Sequence, residues 1–229
     1  APAHCTHLTI CVRRALSLVC RAAARGTPTE GVCVCVCASE RAHTIVPIGP
    51  ATRRGGGCNR GRVGELDRHC RLKTPDAHIE SFRQLCEALK PSQVTEVDFS
   101  GCGLGPLGAG CVADYVWNAI AVVARISVLS NPIGVEGAAA LIEVYEKNPQ
   151  IRTLLGIEEG VTEVNFSEKN VDVGQTMVLA AELRAGRITA ALTVAKIIGN
   201  PIGPDGAKLL IESFDATPQL QSLCGITPG

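Results

Sequence analysis

Four segments of the chain share one spacing of apolar positions: VTEVDFSGCGL at 94–104, VARISVLSNPI at 123–133, VTEVNFSEKNV at 161–171 and LTVAKIIGNPI at 192–202. In each, apolar side chains alternate with others, the period of a strand with one buried face. Val97 and Phe99, or Ile126 and Val128, are therefore assigned to a core, with Asp98 and Ser127 pointing away from it. The turn after each strand carries Cys102, Asn131 or Asn200, side chains that can satisfy backbone groups left unpaired where the chain curves. Lys169 interrupts this ladder, so the third repeat is expected to be the least regular.

A helix is predicted after each turn. Ala138, Leu141, Ile142 and Tyr145 recur as Ala207, Leu210, Ile211 and Phe214, a 0, 3, 4, 7 spacing that makes one apolar stripe. Glu136 and Asp205 stand where a helix N-terminus favours negative charge, and Pro149 and Pro218 close the same helices. Upstream, AHIESFRQLCEALK at 77–90 reads as a further helix capped by Asp76 or Thr74. NPIGVEGAAALIE at 131–143 and NPIGPDGAKLLIE at 200–212 are nearly the same sequence, and the first segment matches the third at an offset of 67.

Composition divides the chain near Thr74-Pro75. Residues 1–74 carry twelve basic and four acidic side chains and eight of the twelve cysteines, whereas residues 75–229 carry ten basic and eighteen acidic. The zero net charge is thus the average of two unlike parts, and it argues against a surface built throughout for nucleic acid or an anionic membrane. The first part reads as a low-complexity Cys/Arg-rich segment, unstructured or not genuine coding sequence. Val32-Cys33-Val34-Cys35-Val36-Cys37 is what an alternating GT repeat encodes, RRGGGCNRGR at 53–62 fits a GC-rich source, and the sole Met is Met177, as expected of a sequence that starts inside a reading frame or after a processing site. Residues 1–29 also have the Arg-rich, acid-poor start of an organellar transit peptide, and Cys-x-Cys-x-Cys could hold a soft metal but lacks a second Cys/His pair at zinc-site spacing. The basic part has no aromatic residue on which a base could stack. No apolar run, Ala119 to Ala124 included, approaches the roughly 18 residues of a membrane span.

The four segments fit L-x-x-L-x-L-x-x-N/C-x-L, although Ala195 is small for its place, and with the following xIGxEGAxxL they resemble the leucine-rich repeat family in its ribonuclease-inhibitor-like subclass. The resemblance covers about residues 76–229. It implies an α/β leucine-rich-repeat solenoid of four to five repeats, with parallel strands on the concave face and helices on the convex one, that binds a protein partner. Lys169 and the extra LLGIEEG at 154–160 depart from the pattern. So short an arc is expected to act as a subunit of a larger assembly.

Chemistry in the repeat region is tested by what it contains. Gly103-Leu104-Gly105-Pro106-Leu107-Gly108 matches the dinucleotide-binding G-x-G-x-x-G, yet Gly105 and Gly108 recur as Gly134 and Gly137 and again as Gly203 and Gly206, so the repeat's turn explains them. No His follows His78, which removes His-dependent nucleophilic chemistry from the repeats. Cys86, Cys102, Cys111 and Cys224 contain no C-x-x-C and read as reduced thiols of an intracellular, cytoplasmic protein. The expectation is therefore no enzyme, cofactor or metal. The expected interaction face comprises the outward strand residues Glu96, Asp98, Ser100, Arg125, Ser127, Glu163, Asn165, Ser167 and Lys196, whose three acids and two bases favour a moderately basic protein partner. Because the GTPase-activating protein for Ran resembles this repeat subclass, the resemblance also admits a small-GTPase regulator.

Overall fold

Short strands alternate with five helices along the described residues of the computed structural model, which are 33–39, 42–48, 63–69, 71–120 and 123–226. The N-terminal strands are β1 (Cys33–Ser39), β2 (Ala42–Ile48), β3 (Glu65–Leu66) and β4 (Leu72–Thr74). Helix α1 (Ile79–Leu89) follows, then β5 (Glu96–Asp98), α2 (Pro106–Asn118), β6 (Arg125–Ser127) and α3 (Gly134–Lys147). The C-terminal part comprises β7 (Glu163–Asn165), α4 (Val173–Ala185), β8 (Val194–Lys196), α5 (Gly203–Asp215) and β9 (Ser222–Leu223). The chain is a mixed α/β fold, and no described sheet closes on itself.

β1 and β2 pair antiparallel, and β2, β5 and β6 then run parallel. β3 and β4 form a separate antiparallel pair, while β7, β8 and β9 make a second parallel sheet. β5, β6, β7 and β8 are three residues long, each followed by a turn. Each helix packs on the next, α1 on α2 through to α4 on α5. Alternation along each strand buries Val97, Phe99, Ile126, Val128, Val164, Ala195 and Ile197 against the helical stripes. Phe82 on α1 meets Phe99 edge to face, ring centres 5.2 Å apart.

The packed core crosses the expected Thr74-Pro75 boundary and reaches back to Val63. That side chain is buried, and the Val63 and Gly64 N–H groups donate to Cys102 O at 2.7 and 3.0 Å. Within segment 1–74, Cys33–Cys37 falls on strand β1. Residues 1–32, which include the segment read as a transit peptide, and all of 53–62 lie outside the described residues.

Residues 154–160, expected to be an interruption, begin with a rung of the sheet. Ile126 N donates to Thr153 O and Val128 N to Leu154 O, both at 3.0 Å, and Gly156 N returns to Ile126 O at 2.9 Å. NPQIRTLLGI at 148–157 corresponds to TPQLQSLCGI at 217–226, which contains β9. Two halves of like construction result, each ending in such a rung. Pairing between strands stops at the first rung and resumes at β7, whereas helix packing continues from α3 to α4 across the same joint.

The apolar stripes agree with this arrangement at all but one position. Leu141, Tyr145, Leu210 and Phe214 are buried, yet Ile211 is 52% exposed where its counterpart Ile142 is half-buried. α3 has α4 beside it, whereas among the described residues no helix follows α5.

Candidate functional site

The nine outward strand residues divide between the two sheets. In the first, register places Glu96 opposite Arg125 and Asp98 opposite Ser127. Asp98 Oδ1 accepts the Ser100 N–H at 2.9 Å, and the Ser100 and Ser127 hydroxyls are 2.6 Å apart. In the second, Asn165 lies opposite Lys196 and its Oδ1 accepts the Ser167 N–H at 3.0 Å, while Lys196 Nζ makes an ion pair with Glu163. All nine are exposed or half-buried. Lys196 offsets the charge of Glu163, so the acidic excess of the surface rests on Glu96 and Asp98.

The turn residues differ in how much they hold. Asn131 is fully buried, and its Oδ1 accepts two N–H groups of the preceding turn while its Nδ2 donates to carbonyls of both turns. Asn200 repeats this one half later, accepting from Val171 N at 2.9 Å and donating to Phe166 O and Ile197 O. Cys102 is buried and its thiol donates to Ser100 O at 3.7 Å. Lys169 is exposed, flanked by Glu168 and Asn170 in left-handed conformation with φ of 57° and 59°.

The G-x-G-x-x-G stretch is occupied by a side chain. Asp76 accepts the N–H of Gly105 at 2.7 Å, of Leu107 at 3.0 Å and of Gly108 at 3.0 Å, so its carboxylate sits at the N-terminus of α2 where a phosphate would otherwise be favoured. A Cβ at Gly105 would lie 2.5 Å from Asp76 Oδ2, which accounts for glycine there by close approach. This also corrects the expectation that Asp76 or Thr74 caps the first helix: α1 begins after His78 without a side-chain cap, and Asp76 caps the next helix instead.

The joint between the halves gathers polar groups that the sequence pattern did not single out. Glu182 on α4 is fully buried; it accepts the Leu154 N–H, the Leu155 N–H at 3.1 Å and the Thr153 hydroxyl at 3.1 Å. Thr153 Oγ1 in turn accepts from Leu155 N and Ile157 N. Gln175 Nε2 donates to Val128 O at 2.6 Å, and Asp172 Oδ2 accepts from Gly134 N at 2.7 Å. A Cβ on Gly174 would stand 2.1 Å from Gly134 O, so α4 can approach α3 this closely only with glycine there. Arg187 lies over the Tyr145 ring, 4.0 Å from its centre, and donates to Tyr145 O, Asn148 O and Ile151 O at the end of α3. The one available signal was a lone carboxylate in the otherwise apolar run Met177-Val178-Leu179-Ala180-Ala181-Glu182-Leu183.

Burial pushes the Cys86 and Cys111 thiols up, which keeps them protonated and weakly nucleophilic at neutral pH. Among the described residues no group of three or more His, Cys, Asp or Glu converges as a metal site requires, and no helix is long and apolar enough to cross a membrane. No protein-family model matches the chain, and no curated protein matches it by sequence.

Proposed function

We propose that the chain is a short leucine-rich-repeat arc that works as a non-enzymatic protein-interaction scaffold, its outward strand residues forming the concave binding face. The observation that carries this reading is the pairing of Glu96 with Arg125 and of Asp98 with Ser127 across parallel strands whose intervening Val97 and Ile126 are buried. Such a register holds polar groups in fixed rows on a rigid backbone, the arrangement that repeat arrays use for recognition. A moderately basic protein partner fits, because the charge left after Lys196 offsets Glu163 is acidic at Glu96 and Asp98, with Arg125 alongside. The arc serves in this reading as one subunit of a larger assembly.

The test is capture by immobilised chain, comparing the unmodified protein with a Glu96→Lys, Asp98→Lys, Glu163→Lys variant. Expected is a loss of partner retention by at least about tenfold with little change in thermal midpoint, since exposed charges contribute more to encounter and specificity than to folding. Equal retention by both proteins would remove this surface from the account.

A further inference from the structure

We propose that the open side of α5 is a docking surface for a second copy of this chain, the two helices packing antiparallel about a two-fold axis near Leu209. Repetition within the chain defines the surface. By an offset of 69, Gly203, Ala207, Ile211 and Asp215 of α5 correspond to Gly134, Ala138, Ile142 and Glu146 of α3. In α3 this row begins against α4, where Asp172 Oδ2 takes the Gly134 N–H at 2.7 Å and Gly174 stands against Gly134 O, and it continues with Ala138 buried and Ile142 half-buried. On α5 the same row is open: Gly203, Ile211 and Asp215 are exposed and Ala207 is half-buried. The rung after α5 follows suit, with Ile226 exposed where Ile157 is buried.

The row is complementary to itself. Residues four apart form one ridge along a helix, and ridges of this kind interlock between helices. Reversed about Leu209, the ridge sets Ala207 against Ile211 of the second copy and Ile211 against its Ala207, a small side chain facing a large one on both sides of the axis. The same reversal sets Gly203 against Asp215 of the second copy. In α3 a carboxylate, that of Asp172, takes the corresponding N–H; α5 has no side-chain cap, and Asp215 of the second copy supplies a carboxylate at that place. Asp215 has no evident role within one chain. It ends α5, where negative charge opposes the helix dipole, the last turn holds no basic residue, and Lys208 pairs with Glu212 at 3.9 Å instead. In the pair of helices the two Asp215 carboxylates stand at opposite ends, roughly 18 Å apart along the axis at about 1.5 Å per residue, so each meets a helix N-terminus and not the other. α5 carries none of the nine outward strand residues, so self-association and partner capture hold or fail separately.

Sedimentation velocity of the full chain, over a series from about 1 to 500 µM, tests the proposal; one helix ridge buries less surface than a standard interface, so a dimer with a Kd of about 10–100 µM is expected. Ile211→Asp is expected to weaken the dimer at least about tenfold, with little change in the thermal midpoint measured on dilute protein, because the site is open to water in the single chain. Asp215→Asn separates the contact from a role in folding. It is expected to weaken the dimer about 3–10-fold while leaving the thermal midpoint equal or higher, since it removes a charge from the wrong end of a helix. Amide exchange at Gly203 is expected to slow as concentration rises in the unmodified chain and to lose that dependence in Asp215→Asn. A chain that stays monomeric over the whole series, a dimer that Ile211→Asp leaves intact, or Gly203 protection that does not respond to Asp215→Asn would each overturn the proposal.

Discussion

Asn131 Oδ1 accepts the N–H of Gly103 at 2.9 Å and that of Leu104 at 3.0 Å, and the same side chain donates to Phe99 O and Val128 O, both at 2.8 Å. One amide thus closes two successive turns from a position with no solvent access. Asn131→Leu removes every partner of those groups at once and is expected to cost about 2–3 kcal/mol. Asn200 is half-buried and accepts a single N–H, so Asn200→Leu is expected to cost less, about 1–2 kcal/mol. Lys169 is exposed, and Lys169→Asn is expected to stay within about 0.5 kcal/mol. Urea unfolding of the three variants checks the order; Lys169→Asn at the bottom would mean the ladder has been misplaced.

Asp76 provides a second, independent test of how turns hold helices here. Its carboxylate takes three N–H groups at the start of α2, and its own φ of 56° places it in the left-handed region that lets the chain turn towards that helix. Asp76→Ala is expected to destabilise by about 1–2 kcal/mol, and Asp76→Asn by less, because the amide keeps an acceptor but loses the charge favoured at a helix N-terminus. Equal stability of all three proteins in thermal melts would show that the cap contributes nothing.

Much of this arrangement could be read in the sequence because it is local. Val97, Phe99, Ile126 and Val128 announce a strand by alternation, and Asn131 and Asn200 mark turns by residue type. Leu141, Tyr145, Leu210 and Phe214 define a helical stripe, but the same periodicity places Ile211 in the core, since it cannot tell a helix with a following neighbour from one without. Sequence points Asp76 to the nearest helix because caps are ordinarily local, whereas here its acceptors serve N–H groups 29 to 32 residues away. Glu182 was invisible for a related reason. Its environment is made by Thr153 and Leu154, 28 or 29 residues earlier, inside a stretch that looked like an insertion until its hydrogen bonds to β6 placed it in the sheet. The outward strand residues were legible one by one, but not their division between two sheets, which depends on that rung.

Arg187 closes the same joint by different chemistry. Its guanidinium donates from Nη1 to three carbonyls at the end of α3 and lies over the Tyr145 ring, so both the donor geometry and the planar face of the cation are used. Arg187→Lys is expected to lose most of this geometry and cost about 1–2 kcal/mol, and Arg187→Ala about 2–3 kcal/mol, since the carbonyls would then be left without their donor. Melting curves with 1 M salt added serve as the check. Because the site is half-buried, the differences are expected to survive salt that screens exposed pairs; abolition by salt would reduce Arg187 to a surface charge.

The correspondence of 148–157 with 217–226 allows one residue to be compared with itself in two settings. Ile157 ends the first rung in the packed core with 3% exposure, its N–H on Thr153 Oγ1, whereas its counterpart Ile226 is 59% exposed. Local sequence is nearly the same at both, so a difference in response isolates what the joint contributes. Ile157→Asp places an unpaired charge in the packed joint and is expected to cost roughly 3 kcal/mol or more. Ile226→Asp, at a site already open to water, is expected to change stability by about 0.5 kcal/mol or less. Denaturant midpoints measured on the two variants decide the matter. Equal costs would mean that the halves do not pack on one another through this rung, and the role of Glu182 at its centre would fall with it.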